Sequence, residues 1–463
     1  MTLLSFFQSI IRPIFGTFET EELKKFLRMG AVFTFIIGSY WTIRVLKNAL
    51  FCTFVAAAHL PYAKTASILF LIPLLMFYTK LLDTYKRDKV FYIVSAIYAV
   101  LSLVFALIIA FTQSSCAAAG QPQSWLQWIV GYAFYLFVES YGSLLPALFW
   151  AIASDTTTPD SAKKGYSLVV AIGQFGGIIL PYLVAGLPHH LGLETNALSI
   201  FISAGTITLS IFLFKNFFKK TPKELLVSYH GKNEQEEEHK PEHEAGFFEG
   251  LRLLFTHKYL LGIFAVVAFP EIITTIVDLH FNSLASQTYS GTALAKYLGM
   301  YGSAVNIFAF LFLILGIGNV TRILGVGAAL LLMPVLYGVA VLGFTSLSSL
   351  TFLFVLMASS KAINYALNGP AIKQLYIPTT HDAKFKAQGW IESFGSRGAK
   401  EVGAVFGMLL GPLQKQLGVV LGRARHAMFA SYFGFAITFV WIFIALFLGK
   451  KYRTAIQEKK VVC

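Results

Sequence analysis

Long apolar runs alternate with short polar stretches along almost the whole chain. A membrane-spanning helix needs roughly 20 mainly apolar residues, and by that rule the sequence contains about twelve spans. Their centres lie near residues 40, 71, 101, 139, 175, 205, 272, 306, 333, 360, 399 and 437. The runs are long and do not alternate with a period of two residues, so membrane-spanning strands are not favoured. The pattern predicts an all-α integral membrane protein with about twelve transmembrane helices, numbered here as spans 1 to 12.

The longest hydrophilic segment, residues 215–248, divides these spans into two groups of six. Two groups of six spans joined by a long loop are the layout of a major-facilitator-like transporter, which is built from two pseudo-symmetric halves. The charged run KLLDTYKRDKVF between spans 2 and 3 resembles a loop of that superfamily. The predicted segments are an N-terminal cytoplasmic or interfacial segment (1–27), an N-terminal six-helix half (28–216), a cytoplasmic linker (217–250), a C-terminal six-helix half (251–449) and a cytoplasmic tail (450–463).

Composition supports a membrane protein. Of the 463 residues 56% are hydrophobic and only 13% are charged, whereas a soluble globular chain carries about 25% charged residues. The net charge of +14 does not indicate a nucleic-acid partner, because Lys and Arg cluster in the tails and in alternate loops. That distribution follows the positive-inside rule and predicts that both termini are cytoplasmic. One predicted outer loop after span 11 disagrees, since it contains Lys415, Arg423 and Arg425.

Several charged residues fall inside the predicted spans. Each one costs about 2.5–3.5 kcal/mol at the centre of a membrane helix, so such residues mark a polar cavity or pathway. Two R-x-x-K pairs, Arg44/Lys47 in span 1 and Arg397/Lys400 in span 11, each share one helical face because i and i+3 are neighbours. Paired Arg and Lys side chains suit a polyanion such as a phosphate chain. The other candidate substrate-binding residues are Glu139, Asp278, Lys361 and Lys373.

Structural explanations compete with this interpretation. Arg397 and Glu401 are spaced to form an ion pair within one helix, and Lys361 and Lys373 could extend to the cytoplasmic surface. No Walker motif, metal-ligand spacing or nucleophile–base motif is present in the sequence. We therefore expect a protein that is not an enzyme, with no catalytic residues, no metal and no cofactor.

Motifs along most of the chain then point to one family. Residues 22–51, ELKKFLRMGAVFTFIIGSYWTIRVLKNALF, are similar to the opening helix of the non-mitochondrial ATP:ADP antiporters of intracellular bacteria and plastids. Residues 135–173 resemble that family's A-E-L-W-G-S segment, and GNVTRILG, SKAINYALNGPAIKQLYIP and KFKAQGWIESFGSRGAK match in order. The resemblance implies a major-facilitator-like carrier that exchanges ATP for ADP in a bacterial inner membrane. It also implies that the family's four functionally important charges fall on Lys47, Glu139, Asp278 and Lys400.

The chain departs from the family pattern near these charges. Val45 and Asn48 replace acidic residues beside Lys47, Asp278 stands where Glu is usual, and Asn282 and Asn364 stand where the family often has Lys. These changes leave open a less charged cargo, a nucleoside monophosphate or a dinucleotide such as NAD.

We therefore expect a secondary transporter that moves nucleotides by alternating access, with antiport of ATP and ADP favoured. A proton-coupled nucleotide or NAD transporter is the alternative, and a non-transporting membrane receptor is a third. The expected partners are a nucleotide substrate and the lipid bilayer, without nucleic acid, and the protein is expected to be a monomer.

Overall fold

The structure is a computed structural model of the 463-residue chain. It describes residues 12, 17–85, 87–117, 124–157, 159–226, 247–314, 325–346, 349–376, 378–379, 387, 391, 395–458 and 462. Within these residues the secondary structure is helical throughout. In lipid a helix satisfies its own backbone hydrogen bonds, which explains why long apolar runs take this form.

Every predicted span centre lies in a helix, so the prediction of an all-α membrane fold is confirmed. The twelve helices are α1 (Thr20–Phe54), α2 (Leu60–Thr84), α3 (Arg87–Ala117), α4 (Trp125–Asp155), α5 (Pro159–His190), α6 (Ala197–Lys220), α7 (Lys258–Thr288), α8 (Gly291–Ile314), α9 (Val326–Ser346), α10 (Leu350–Ile363), α11 (Ser396–Met408) and α12 (Val419–Glu458). Short helices are Ala57–His59, Lys223–Leu226, Phe247–Thr256 and Leu410–Leu417, and a π-helical segment (Asn364–Asn368) joins α10 to a further turn, Gly369–Leu375. Nine helices of the described chain are long and apolar enough to cross a membrane.

The predicted outer loop after span 11 is mostly helical. Lys415 lies in the short helix Leu410–Leu417, and α12 begins at Val419, so Arg423 and Arg425 belong to α12. The sequence placed these two cations in a connecting loop because charge interrupts the apolar run, and that assignment was wrong.

The chain forms two compact units. The first comprises Met1–Ala56, Ala66–Lys240 and Ser286–Ile307, and the second comprises Ala57–Thr65, Pro241–Ala285 and Phe308–Cys463. The boundary therefore falls inside α2, whose first turn belongs to the second unit. The predicted division into halves at residues 217–250 remains a prediction.

In the first unit, α1 packs against α4, α5 and α6. Its contact with α5 is close because glycines remove side chains from the interface. A Cβ atom on Gly176 would collide with the backbone carbonyl of Thr34, and a Cβ on Gly38 would lie 2.9 Å from the carbonyl oxygen of Gly176. The Thr34 hydroxyl also donates to the Ile172 carbonyl at 3.0 Å.

In the second unit, α9 packs lengthwise against α12, and glycine again permits the approach: a Cβ on Gly327 would lie 3.3 Å from the Cα of Gly449. Helix α7 contacts α12 through Gly262, whose missing Cβ leaves room for Leu448. Farther along α7, Phe269 meets Trp441 edge to face. These contacts show that α7 and α12 run in opposite directions.

Candidate functional site

In the first unit, Lys47 of α1 forms an ion pair with Glu139 of α4. The Lys47 Nζ donates to Glu139 Oε1, and the side chains are 5% and 35% exposed, respectively. One turn before Glu139, the ring of Tyr135 lies under the ammonium group, with Nζ 4.0 Å from the ring centroid. A carboxylate and an aromatic face therefore share the stabilisation of a buried cation.

Packing on both sides of Lys47 fixes α1 against α4. On one side, the Tyr141 hydroxyl donates to the Ile36 carbonyl at 3.2 Å. On the other, Phe51 meets the rings of Tyr132 and Tyr135 edge to face. The N-terminus of α4 is closed by a capping box between Ser124 and Gln127, which satisfies two backbone N–H groups.

Arg44 occupies a different environment from Lys47, although both lie on α1. Its guanidinium carbon is 4.7 Å from the Trp41 ring centroid and 5.6 Å from that of Tyr40. Tyr40 in turn stacks on Tyr141 at 6.5 Å, in the space that Gly142 leaves by having no side chain. Arg44 is half-buried against aromatic rings, whereas Lys47 is buried against a carboxylate.

In the second unit, two lysines share the carboxylate of Asp278 on α7. Lys361 of α10 donates to Oδ1 at 2.8 Å, and the Nζ of Lys64, from the first turn of α2, lies 3.6 Å from Oδ2. Lys361 is 9% exposed and Lys64 is 23% exposed. Asn282 donates to the Asp278 carbonyl at 2.7 Å, within α7. Lys361 is thus held inside the unit rather than extended toward the membrane surface.

Helix α11 contributes a second set of charges to the same unit. Lys400, which is 49% exposed, lies 3.6 Å from Glu271 of α7. Its neighbour Glu401 accepts a hydrogen bond from Thr65 of α2, a different partner from the Arg397 that the spacing suggested. Arg397 is partly buried. Lys373 lies in the helical turn Gly369–Leu375, but its side chain falls outside the described residues.

The structure therefore assembles two cation–carboxylate clusters, one within each unit. Lys47 with Glu139, and Asp278 with Lys361, join residues that the sequence singled out one by one. Lys64 was missed, because it lies at the polar beginning of span 2 and only tertiary packing brings it to Asp278. The part of the chain that the structure describes contains no group of three or more His, Cys, Asp or Glu side chains able to hold a metal. Clustered lysines of this kind can bind an anion with several negative oxygens.

Sequence comparison gives a consistent result. The family described as TLC ATP/ADP transporter matches residues 4–452. The ADP,ATP carrier protein 1 of Rickettsia bellii (strain RML369-C) is 24% identical, and the alignment covers 97% of each chain. The chloroplastic ADP,ATP carrier protein 2 of Arabidopsis thaliana is also 24% identical, over 97% of this chain and 78% of that one.

Solved structures agree on the fold. A bacterial homologue of the iron transporter ferroportin, in an inward-facing state, has a TM-score of 0.61 at 13% identity and covers 93% of this chain and 98% of its own. The nucleoside transporter NupG has the same TM-score and identity, with coverages of 91% and 98%. At this identity the likeness shows only the fold, which is all-α and major-facilitator-like.

Proposed function

The chain belongs to the TLC ATP/ADP transporter family, and from that membership we propose that it exchanges ATP for ADP across a membrane by alternating access. The names of its relatives, ADP,ATP carrier proteins from Rickettsia and from a chloroplast, support this exchange. The fold supports it too, since the solved structures that resemble the chain include transporters of other small solutes.

One observation carries the molecular part of the proposal: each buried lysine of the two clusters rests on a carboxylate from another helix. Lys47 rests on Glu139, and Lys361 rests on Asp278. A phosphate group offers the same negative oxygens as a carboxylate and can take its place. Glu139 and Asp278 therefore hold the cations between turnovers, and the phosphate chain of the nucleotide replaces them when it binds.

This replacement explains why exchange is favoured over net transport. A buried lysine separated from its carboxylate costs about 3–5 kcal/mol, so a carrier that changes conformation without cargo pays that penalty. A bound phosphate chain removes the penalty. In this proposal the candidate phosphate-binding cations are Arg44 and Lys47 in the first unit, and Lys361, Lys373, Arg397 and Lys400 in the second.

The remaining properties follow from the sequence. The distribution of Lys and Arg supports cytoplasmic termini, and the bacterial relatives support an inner-membrane location. The carrier acts as a monomer, with six-helix halves on either side of the linker 217–250.

Uptake by proteoliposomes tests the exchange. Liposomes preloaded with ADP should take up labelled ATP, and empty liposomes should not. Uptake into empty liposomes that stops with a protonophore would instead establish proton-coupled transport. Saturable ATP binding without any flux would identify a receptor. A labelled panel that includes NAD and nucleoside monophosphates tests the cargo, since Asn282 and Asn364 stand where the family often has Lys and so lower the local positive charge.

A substitution at Lys47 tests the site. Lys47→Ala should lower ATP/ADP exchange roughly 100-fold, because about 3 kcal/mol of charge pairing with phosphate is lost. The matched control is Lys24→Ala, on the same helix, where an exposed lysine pairs with Glu21 at 2.6 Å. A surface pair contributes about 0–1 kcal/mol, so the control should exchange normally. Full exchange by a correctly inserted Lys47→Ala protein would refute the assignment.

A further inference from the structure

The first half of α7 borders an apolar cavity of about 410 Å³ in the second unit. Helices α11 and α12 form its other walls. The lining includes the side chains of Phe264, Phe269, Ile272, Val402, Ile444 and Phe447, and Lys258 is its one charged residue. The cavity is therefore almost free of groups that could hold water by hydrogen bonds, and it suits a hydrocarbon occupant.

The cavity is long enough to span one leaflet of a bilayer. On α7 its lining begins at Lys258 and recurs every three or four residues as far as Ile272, a rise of about 21 Å at 1.5 Å per residue. The hydrocarbon core of a bilayer is about 30 Å thick, so one leaflet is about 15 Å deep. A single acyl chain fits along a groove of this length.

Three of the apolar side chains that line the cavity are exposed. Val402 is 47% exposed, Leu261 is 40% exposed and Phe447 is 38% exposed. In a multi-pass membrane protein, exposed apolar side chains of this size are stable against lipid, whereas a water-filled pathway would leave them hydrated at a cost. The groove is therefore best explained as a lateral opening to the bilayer.

Positive charge concentrates at one end of the groove. Lys258 is the first residue of α7 and is exposed. Gly262 of α7 lies against Leu448 of α12, and Lys450 and Lys451 follow Leu448 after one glycine. Basic side chains at the end of an apolar groove between helices are the features that recognise an anionic lipid headgroup.

We propose that this groove is a binding site for an anionic phospholipid of the cytoplasmic leaflet. One acyl chain lies along α7 between α11 and α12, and the phosphate of the headgroup meets Lys258. The site does not depend on the cargo of the carrier. It places a lipid against the segment of α7 that directly precedes Glu271 and Asp278.

Native mass spectrometry tests the site on the full chain. The protein is purified in detergent, stripped of lipid, and exposed to palmitoyl-oleoyl phosphatidylglycerol or to phosphatidylethanolamine with the same chains. We expect one phosphatidylglycerol molecule to remain bound at activation energies that remove phosphatidylethanolamine. Equal retention of the two lipids would overturn the proposed role of charge in this site.

Two pairs of variants locate the lipid. Val402→Trp fills the groove, and Val405→Trp places the same ring at an exposed position of α11 that does not line it (Val405 is 53% exposed). Only Val402→Trp should lose the bound lipid. Lys258→Ala should lower phosphatidylglycerol retention about fivefold, the effect of one basic residue at an anionic surface, whereas Lys215→Ala at the end of α6 should not.

Two results would overturn the proposal. One is equal lipid retention by Val402→Trp and Val405→Trp. The other is a groove that takes up nucleotide: if Val402→Trp abolishes binding of labelled ATP while phosphatidylglycerol retention is unchanged, the cavity belongs to the substrate pathway. Because Lys258→Ala does not touch the packed interior, its result stands even if the tryptophan variants fold poorly.

Discussion

Helix α1 carries Lys47 and helix α7 carries Asp278, the residues on which the two clusters are built, yet the packing around the two helices differs. Helix α1 meets α5 backbone to backbone, with Gly176 beside the Thr34 carbonyl and no room for a side chain between them. The first half of α7 borders a cavity of about 410 Å³, and Gly398 on the facing helix α11 has open space where a Cβ would be. Close packing fixes α1, whereas the first half of α7 has an open groove along one side.

The ion pairs of Lys47 and Asp278 also differ. Lys47 pairs with the carboxylate of Glu139, which lies on a helix that packs closely against its own. Asp278 instead collects Lys64 and Lys361 from two other helices, at 3.6 and 2.8 Å. A cation in a rigid frame is sensitive to the loss of the carboxylate that it contacts, whereas a carboxylate shared by two cations distributes that sensitivity over both. The predictions below separate these two situations.

The largest effect is expected at Glu139. Glu139→Gln leaves Lys47 buried without its negative partner and should lower the free energy of unfolding by about 3–5 kcal/mol. Lys47→Met should cost less, because the remaining carboxylate is 35% exposed and can be hydrated. Thermal unfolding in detergent, followed by tryptophan fluorescence, compares the two. ADP should restore part of the stability of Glu139→Gln. Equal losses of stability in both variants, without any effect of ADP, would contradict the proposal that Glu139 holds Lys47 until phosphate replaces it.

The two lysines on Asp278 should differ in their contribution to transport. Lys361→Met removes a buried, charged hydrogen bond, which is worth about 1.5–3 kcal/mol, and should raise the KM for exchange tenfold or more, to roughly 100-fold. Lys64→Met removes a longer and more exposed ion pair, worth about 0.2–1 kcal/mol, and should raise it less than about fivefold. Initial rates of exchange at several ATP concentrations measure both. The reverse order would show that Lys64 is the principal partner.

An added methyl group should disturb the α1–α5 contact but not the groove-facing position Gly398 of α11. Gly176→Ala forces α1 away from α5 and should destabilise the protein by about 1–3 kcal/mol, as overpacked cores do. Gly398→Ala meets no atom within 4 Å and should be close to neutral in stability. The melting temperatures of the two variants in the same detergent make the comparison, and an equally destabilised Gly398→Ala would show that the second unit is as tightly constrained there as the first.

The smallest effect is expected where α2 meets α11. Thr65→Val removes the hydroxyl that donates to Glu401 and should cost about 0.5–1.5 kcal/mol, the net value of one hydrogen bond. Thr208→Val is a matched control, because that hydroxyl donates to the Ala204 carbonyl one turn back in its own helix, α6, at 2.8 Å. A larger loss for Thr208→Val than for Thr65→Val would argue against a role for the α2–α11 contact.

The sequence predicted the positions of the helices well because apolar run length is a local property. All twelve predicted centres lie in helices, and the charges chosen for their depth include Lys47, Glu139 and Asp278. Depth in the membrane does not identify a partner, however. The R-x-x-K spacing suggested that Arg44 and Lys47 act as one pair, but it did not predict that Arg44 lies over the rings of Tyr40 and Trp41 while Lys47 pairs with Glu139.

Partners from distant parts of the chain could not be predicted. Lys64 meets Asp278 across 214 positions of sequence only because the first turn of α2 packs with the second unit. The groove beside α7 could not be predicted from the sequence either, since its lining residues are the same Phe, Ile and Val side chains that fill a packed core. Whether such residues leave a space depends on how closely the helices approach each other. That distance is set by several segments together and cannot be predicted from any one of them.

The glycine contact between α1 and α5 has an evolutionary consequence. Positions such as Gly38 and Gly176 admit no larger residue without moving a helix. Selection for stability therefore removes substitutions there before they can contribute to a new transport property. Changes of cargo must then arise from exchanges among the polar side chains on a fixed frame. A saturation library of the chain should accordingly show a nearly invariant stripe along α1 and α5, and should tolerate variation along the groove-facing side of α7.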